Sequence, residues 1–320
     1  MERSAPQQTA WTVSDGRAGN ARQARALAAA MGLAARDWNL APKAPWRWFA
    51  PRRLPGARRA FGVTFAEALH SPPALAIGCG RQAALATQLL RARGTRVVQV
   101  LDPRIATSHW DVVVAPSHDA LHGDNVVSLL GSLHPVDDAW LAQARATFAV
   151  LGTLPRPRVA MLVGGPTRHA RWDEAALARW IRELGAVVAD EGGSLLLCGS
   201  RRTPPALRTR LRGAMPSAPG VRWFDAADGD NPYAGALAWA DRIACTPDSV
   251  NMLSEACATW APVFVADPDS ARGRVGGFMQ ALRARDRIRP LDARMDRFEV
   301  EPLRETARVA AEVARRLGLT

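Results

Sequence analysis

The sequence predicts an α/β protein built from two doubly wound domains that face each other across a cleft. Short apolar runs alternate with alanine-rich amphipathic stretches along most of the chain, the pattern of parallel strands joined by helices. That alternation breaks at Gly152-Thr153-Leu154-Pro155-Arg156-Pro157-Arg158, where two prolines exclude helix, and then restarts. At 320 residues the chain is also too long for one ordinary core. The expected division is an N-terminal domain over 1–151, a linker over 152–158, a C-terminal domain over 159–290 and a helical tail over 291–320.

A first strand ends at Thr12 and Val13. The turn Asp15-Gly16-Arg17-Ala18-Gly19-Asn20 follows, then a helix over Ala21–Met31 with Asn20 as its cap. Further strands are expected at Ala74–Ile77, Arg96–Leu101, Asp111–Ala115 and Asn125–Leu129. A helix over Arg81–Arg93 carries Leu85, Leu89 and Leu90 on one face. In the second half, Val159–Val163, Ser194–Cys198, Val221–Phe224, Arg242–Cys245 and Pro262–Ala266 read as strands. Helices run over Asp173–Asp190, from Pro205 and from Val250. Leu303–Leu317 reads as an amphipathic helix with Leu303, Ala310, Val313 and Leu317 near one face, whose expected job is packing, across both domains if it reaches them.

The formal net charge is +12, and Lys43 is the only lysine, so nearly every cation is an arginine. A GC-rich genome and selection for anionic partners both explain that bias. The arginines are scattered and no helix-turn-helix or zinc-finger pattern occurs, so nucleic acid is not an expected partner. No apolar run reaches the length of a membrane span, and Met1–Ala10 lacks the apolar core of a signal peptide. A cytoplasmic protein is expected. Cys79, Cys198, Cys245 and Cys257 are widely spaced and read as small buried thiols rather than metal ligands or a disulfide framework.

Six turns carry chemistry. In the first, Gly16 and Gly19 let the backbone approach a ligand, Arg17 offers a fork of donors, and Asn20 starts a helix whose positive end faces the turn. The same spacing also suits a plain strand-to-helix turn. Gly80 and Arg81 stand at the end of another strand, on the sheet edge where parallel strand ends gather. In the second half, Gly164 and Gly165 end one strand, and Ser200, Arg201, Arg202 and Thr203 end another. Thr246, Asp248 and Ser249 precede the helix carrying Met252 and Glu255. Ser249 or Asp248 caps that helix, whose first N–H groups suit a diphosphate, and Glu255 can accept from ribose hydroxyls. Asp230 and Asn231 stand in the turn before Pro232, a residue suited to a helix start. There is no G-x-G-x-x-G after the first strand and no Tyr-x-x-x-Lys pair, which excludes a dehydrogenase or short-chain epimerase.

Asp15-Gly16-Arg17-Ala18-Gly19-Asn20-Ala21-Arg22-Gln23 resembles the opening signature of the elongated-mitochondria (mitochondrial fission) family. So do Ser200-Arg201-Arg202-Thr203-Pro204, Gly229-Asp230-Asn231-Pro232-Tyr233 and Thr246-Pro247-Asp248-Ser249-Val250-Asn251-Met252 with Glu255-Ala256. The resemblance runs from about Trp11 to Pro290. Plant members of that family are named for mitochondrial fission, and bacterial members have no settled activity. The family is similar to glycosyltransferases with two Rossmann-like domains (GT-B type), including the lipid-linked N-acetylglucosamine transferase of peptidoglycan synthesis. The resemblance therefore implies a nucleotide-diphosphate sugar in the C-terminal half, with Glu255 on the ribose and the Ser249 helix start on the diphosphate. A non-catalytic adaptor that recruits a protein partner is the competing implication. One departure stands at Thr259-Trp260-Ala261-Pro262, where a small residue is expected; Trp260 either narrows the donor site or packs on the surface.

For an inverting sugar transfer one general base must stand beside the acceptor hydroxyl. Asp15 leads the candidates, with His118 second for its suitable pKa, ahead of His109 and Asp119. No D-x-D motif stands where a metal would be needed, so neither metal nor cofactor is expected. Trp46-Arg47-Trp48-Phe49, followed by Arg52, Arg53, Arg58 and Arg59, suits the headgroup region of an anionic membrane and a lipid-linked acceptor. A loop whose aromatics pack on their own domain is the alternative.

Overall fold

A computed structural model of the chain describes residues 9–213 and 218–319. The polar segment Met1–Gln8, part of the stretch read for a signal peptide, lies outside the described residues. Packing divides the chain into a first unit of 1–135 with 305–320 and a second unit of 136–304.

In the first unit the elements run β1 (Thr9–Ser14), α1 (Ala18–Ala30), β2 (Ala34–Asn39), α2 (Trp46–Phe49), α3 (Val63–Ala68), β3 (Leu75–Cys79), α4 (Arg81–Arg91), β4 (Arg96–Val100), β5 (Val112–Pro116) and β6 (Val126–Leu129). The strands form one parallel sheet in the order β2-β1-β3-β4-β5-β6. Alternation along each strand feeds two cores. Trp11, Val13, Ala76 and Val113 pack on one face, and Ala10, Leu75, Ile77, Val112 and Val114 on the other.

The second unit runs α5 (Asp138–Thr147), β7 (Arg158–Leu162), α6 (Glu174–Asp190), β8 (Ser194–Cys198), α7 (Pro205–Gly213), β9 (Gly220–Trp223), α8 (Tyr233–Trp239), β10 (Arg242–Cys245), α9 (Val250–Cys257), β11 (Val263–Val265), α10 (Gly273–Arg283) and β12 (Ile288–Pro290). Its parallel sheet has the order β12-β11-β10-β7-β8-β9. Val159, Met161, Leu195, Leu197, Ala244 and Phe264 line one core with Trp180 and Leu184 of α6. Asp173 caps α6, accepting from Ala176 N at 2.8 Å.

The expected α/β class with two doubly wound sheets is the fold observed. Several local expectations change. The first helix begins at Ala18, so Asn20 lies inside its first turn and does not cap it; Arg17 holds the cap position without a side-chain bond. The break between units falls at Pro135 and Val136, earlier than the proline run at 152–158. That run is stapled into the second unit. Arg158 N donates to Asp241 at 2.8 Å, and the Arg158 guanidinium reaches the Leu154 carbonyl at 3.1 Å. The preceding α5 packs on α8, with Arg145 Nε on the Ala238 carbonyl at 2.8 Å. The final helix, α11 (Thr306–Leu317), belongs to the first unit, where Val309, Ala310, Val313 and Leu317 join the core containing Ala10 and Leu27. The edge strands β2 and β12 escaped the sequence reading because each buries a single side chain, Trp38 or Ile288, and so shows no apolar run.

Candidate functional site

A doubly wound sheet opens a crevice at the carboxyl ends of the two strands between which the strand order reverses. In the second unit these are β7 and β10. Gly164 and Gly165 follow β7, and Thr246, Asp248 and Ser249 follow β10. The β8 turn, Ser200 to Thr203, stands on the next strand.

Hydrogen bonds tie the three turns together. The Thr246 hydroxyl accepts from Gly164 N at 2.8 Å. Buried Thr203 donates its hydroxyl toward the Val163 and Gly164 carbonyls and accepts from Ser200 N at 2.9 Å. At the centre lies Asp248, whose side chain is fully enclosed. It accepts from Gly165 N at 3.0 Å, Trp172 Nε1 at 3.2 Å and Arg202 Nη2 at 2.6 Å. The glycines are required by this packing. A Cβ on Gly164 would stand 2.6 Å from Asp248 Cγ, and one on Gly165 2.6 Å from the Arg202 carbonyl carbon. Arg202 is charge-balanced by Asp248 and remains half exposed, and Arg201 is exposed beside it. Two guanidinia thus stand in solvent at the crevice, with one held in a fixed orientation.

Ser249 caps α9 as expected, its hydroxyl accepting from Met252 N at 3.4 Å. Helix geometry leaves the first N–H groups of α9 without acceptors inside the helix. Met252 is buried. Glu255, expected on a ribose, is also buried and accepts the Tyr233 hydroxyl at 2.6 Å. That bond brings the Gly229–Pro232 turn to α9, although β9 lies at the sheet edge. Asp230 and Asn231 are exposed, and the Asn231 side-chain Oδ1 accepts from Tyr233 N at 3.0 Å.

In the first unit the order reverses between β1 and β3. The Asp15 turn follows β1, and Gly80 and Arg81 follow β3. Asp15 accepts from Asn20 Nδ2 at 2.9 Å and Arg17 N at 3.2 Å, and the Arg17 guanidinium lies 3.5 Å away, largely exposed. Gly16 has φ +77°, a left-handed conformation suited to glycine. Gly80 has φ +88°, and a Cβ there would stand 2.6 Å from Asn20 Nδ2. Gly19 lies in the first turn of α1. Asp15, Asn20 and Gly80 therefore meet at one crevice, with Arg17 and Arg81 exposed beside them. His118 does not join them through the sheet. It follows β5, separated from β1 by β3 and β4, and its Nε2 lies 3.9 Å from Asp119.

All four cysteines are free and buried. Burial pushes Cys198 up to about 12. It pushes Cys257 to about 11 against the pull of Arg287. Cys245, beneath Asp248, is raised well above the ordinary thiol value by burial first, then by the neighbouring Cys257 and Asp248 charges. None is poised as a nucleophile.

Trp172 and Tyr233 were not singled out as site residues in the sequence. Trp172 gave no signal, since its indole reaches Asp248 only after the fold forms. Tyr233, the single tyrosine, stood in a marked turn but its partner is 22 residues away. Trp260 precedes β11, at the amino ends of the strands, whereas these turns stand at the carboxyl ends. Its indole donates to Asp138 at 2.9 Å, so it packs on the surface and does not narrow the crevice.

A model of the family "Mitochondrial fission ELM1" matches residues 18–317. The chain belongs to the mitochondrial fission ELM1 family. The Arabidopsis thaliana member, "Mitochondrial fission protein ELM1", is 30% identical over 276 residues, covering 77% of this chain and 64% of the plant protein. The match thus spans just under two thirds of that relative's length. Among solved structures, UDP-GlcNAc 2-epimerase from Neisseria meningitidis, bound to UDP-GlcNAc, aligns with a TM-score of 0.54. The alignment covers 96% of this chain and 99% of that one at 12% identity. CalG4, the calicheamicin glycosyltransferase, aligns at 0.52 over 98% and 99% with 13% identity. At such identities the likeness shows the fold alone: this family member shares the two-sheet architecture of GT-B proteins.

Proposed function

We propose that this chain binds a nucleotide-diphosphate sugar at the carboxyl ends of β7, β8 and β10 and transfers the sugar to a lipid-linked envelope acceptor. The observation that carries the reading is the convergence at one strand reversal of the α9 start, the Gly164-Gly165 turn and the Arg202 guanidinium oriented by Asp248. The diphosphate sits against α9 and the two arginines. Glu255 takes a ribose hydroxyl as it takes that of Tyr233. Asp15, at the strand reversal of the first unit, is the base that receives the acceptor proton; His118 is its alternative. Each of these carboxylates already has protein partners, so ligand hydroxyls either share them or replace them.

The fold-level likeness to a UDP-GlcNAc-bound epimerase and a glycosyltransferase supports this reading. The match to a plant mitochondrial fission protein favours a second one, a non-catalytic adaptor that recruits a protein partner. Calorimetric titration with UDP, GDP and their sugar conjugates separates the two. Tight binding of one nucleotide, weakened at least about tenfold in Arg202→Ala and Glu255→Ala, is expected for lost charge-assisted contacts. Silence across the panel moves the assignment to the adaptor.

A further inference from the structure

Five large apolar side chains stand exposed on the described surface, and three of them, Trp48, Phe49 and Val63, fall within one short segment between β2 and β3. The segment is well anchored. Trp46 packs against the first-unit core and donates Nε1 to the Pro55 carbonyl at 3.1 Å. Lys43 N reaches the Ala60 carbonyl at 2.7 Å, folding the segment back on itself. Gln88 of α4 holds the Pro51 carbonyl at 2.8 Å. Ala50, Ala57, Ala60, Phe65 and Leu69 are all buried in the same core.

Helix geometry decides which aromatics face out. In the single turn of α2, Trp46 and Ala50 lie four residues apart and point inward together, leaving Arg47, Trp48 and Phe49 on the other side. Trp48 is 63% exposed, Phe49 49% and Val63 72%. The sequence left two readings for these aromatics, and the fold divides them: Trp46 packs on its own domain, whereas Trp48 and Phe49 do not.

The charge around them has one sign. Between Leu40 and His70 stand Lys43, Arg47, Arg52, Arg53, Arg58 and Arg59 against the single acid Glu67. All six cations are exposed, and none forms an ion pair among the described residues. Elsewhere the surface arginines commonly pair, as Arg25 does with Asp37, Arg283 with Asp269 and Arg315 with Glu312. An anchored segment whose exposed, unpaired cations flank an exposed indole and phenyl ring along the chain is complementary to lipid phosphates and acyl chains.

We propose that this face docks the protein on an anionic bilayer. Trp48 and Phe49 enter the interface, and the arginines lie against lipid phosphates. The inference stands independently of nucleotide binding, though it would bring the chain to a lipid-linked acceptor.

Co-sedimentation of the full chain with vesicles tests it. Protein should pellet with phosphatidylglycerol–phosphatidylcholine vesicles, fail to pellet with phosphatidylcholine alone, and be released by about 0.5 M salt as screening sets in. Trp48→Ser with Phe49→Ser should lower the bound fraction at least about tenfold. Arg52→Gln, Arg53→Gln, Arg58→Gln and Arg59→Gln combined should do the same, since each interfacial cation contributes severalfold. These side chains are exposed, so thermal melting and nucleotide titration should be unchanged in both variants. Equal binding to neutral vesicles, absence of pelleting, or undiminished binding by both variants overturns the proposal. Loss of nucleotide binding with vesicle binding intact counts against the transferase reading alone.

Discussion

At the scale of single residues, Asp248 shows how a side chain in a marked motif comes to serve the protein rather than a ligand. Its enclosed carboxylate collects three donors from two connections, those after β7 and β8, and through Arg202 it orients a guanidinium at the crevice. Asp248→Asn preserves shape but turns one acceptor into a donor, which must face Gly165 N and Arg202 or Trp172 Nε1. A loss of about 1–3 kcal/mol is expected, read as a lower urea midpoint. Nucleotide affinity should fall with it, and restoring stability with a second-site change should not restore that affinity. The role was only half legible. Thr246-Pro247-Asp248-Ser249 reads as a helix start, and Ser249 caps α9 as its local sequence requires. That Asp248 points back into the turns depends on residues 46 to 83 positions away.

At the scale of elements, strand ends are held by carboxylates whose pKa values record the holding. Asp228 sits in a capping box after β9, its oxygens accepting from Phe224 N at 2.8 Å and from Arg212. The Arg212 hydrogen bond, with help from the backbone N–H groups and against partial burial, lowers its carboxyl to about 2. A depressed carboxyl stabilises the fold above its unfolded value, near 3.9, and loses that contribution as pH falls toward 2. Asp228→Asn should therefore cost about 1 kcal/mol near neutrality, the size of a lost cap, because the exposed pair is screened. The gap to the native protein should close between about pH 4 and 2 in urea titrations followed by tryptophan emission. A gap independent of pH would leave the carboxylate without that role. Central strands were legible here because burial on both faces writes them as continuous apolar runs. The edge strands β2 and β12 were not, since one buried residue leaves no pattern.

At the scale of the whole molecule, α11 is the least local feature. The chain returns from the second unit to complete the first. Thr306 bonds the His134 backbone in both directions, and Arg308 and Arg316 reach the Ser128 and Asp124 carbonyls. Val309, Val313 and Leu317 are buried in the first-unit core, a contribution on the order of 5 kcal/mol and comparable to the stability of a whole domain. Truncation after Arg304 should leave the first unit unfolded or melting well below the second in calorimetry; a single unshifted transition would contradict this. Sequence alone carried the α/β class, the doubly wound halves, most strand ends and the Ser249 helix cap. All of these rest on period, propensity and bonds spanning a few residues. Only the tertiary structure decided where the units divide, which unit owns the last helix, and that Asp248 and Glu255 face inward while Trp48 and Phe49 face out. Those outcomes depend on strand order and on packing partners far apart in the chain, and no local pattern encodes either.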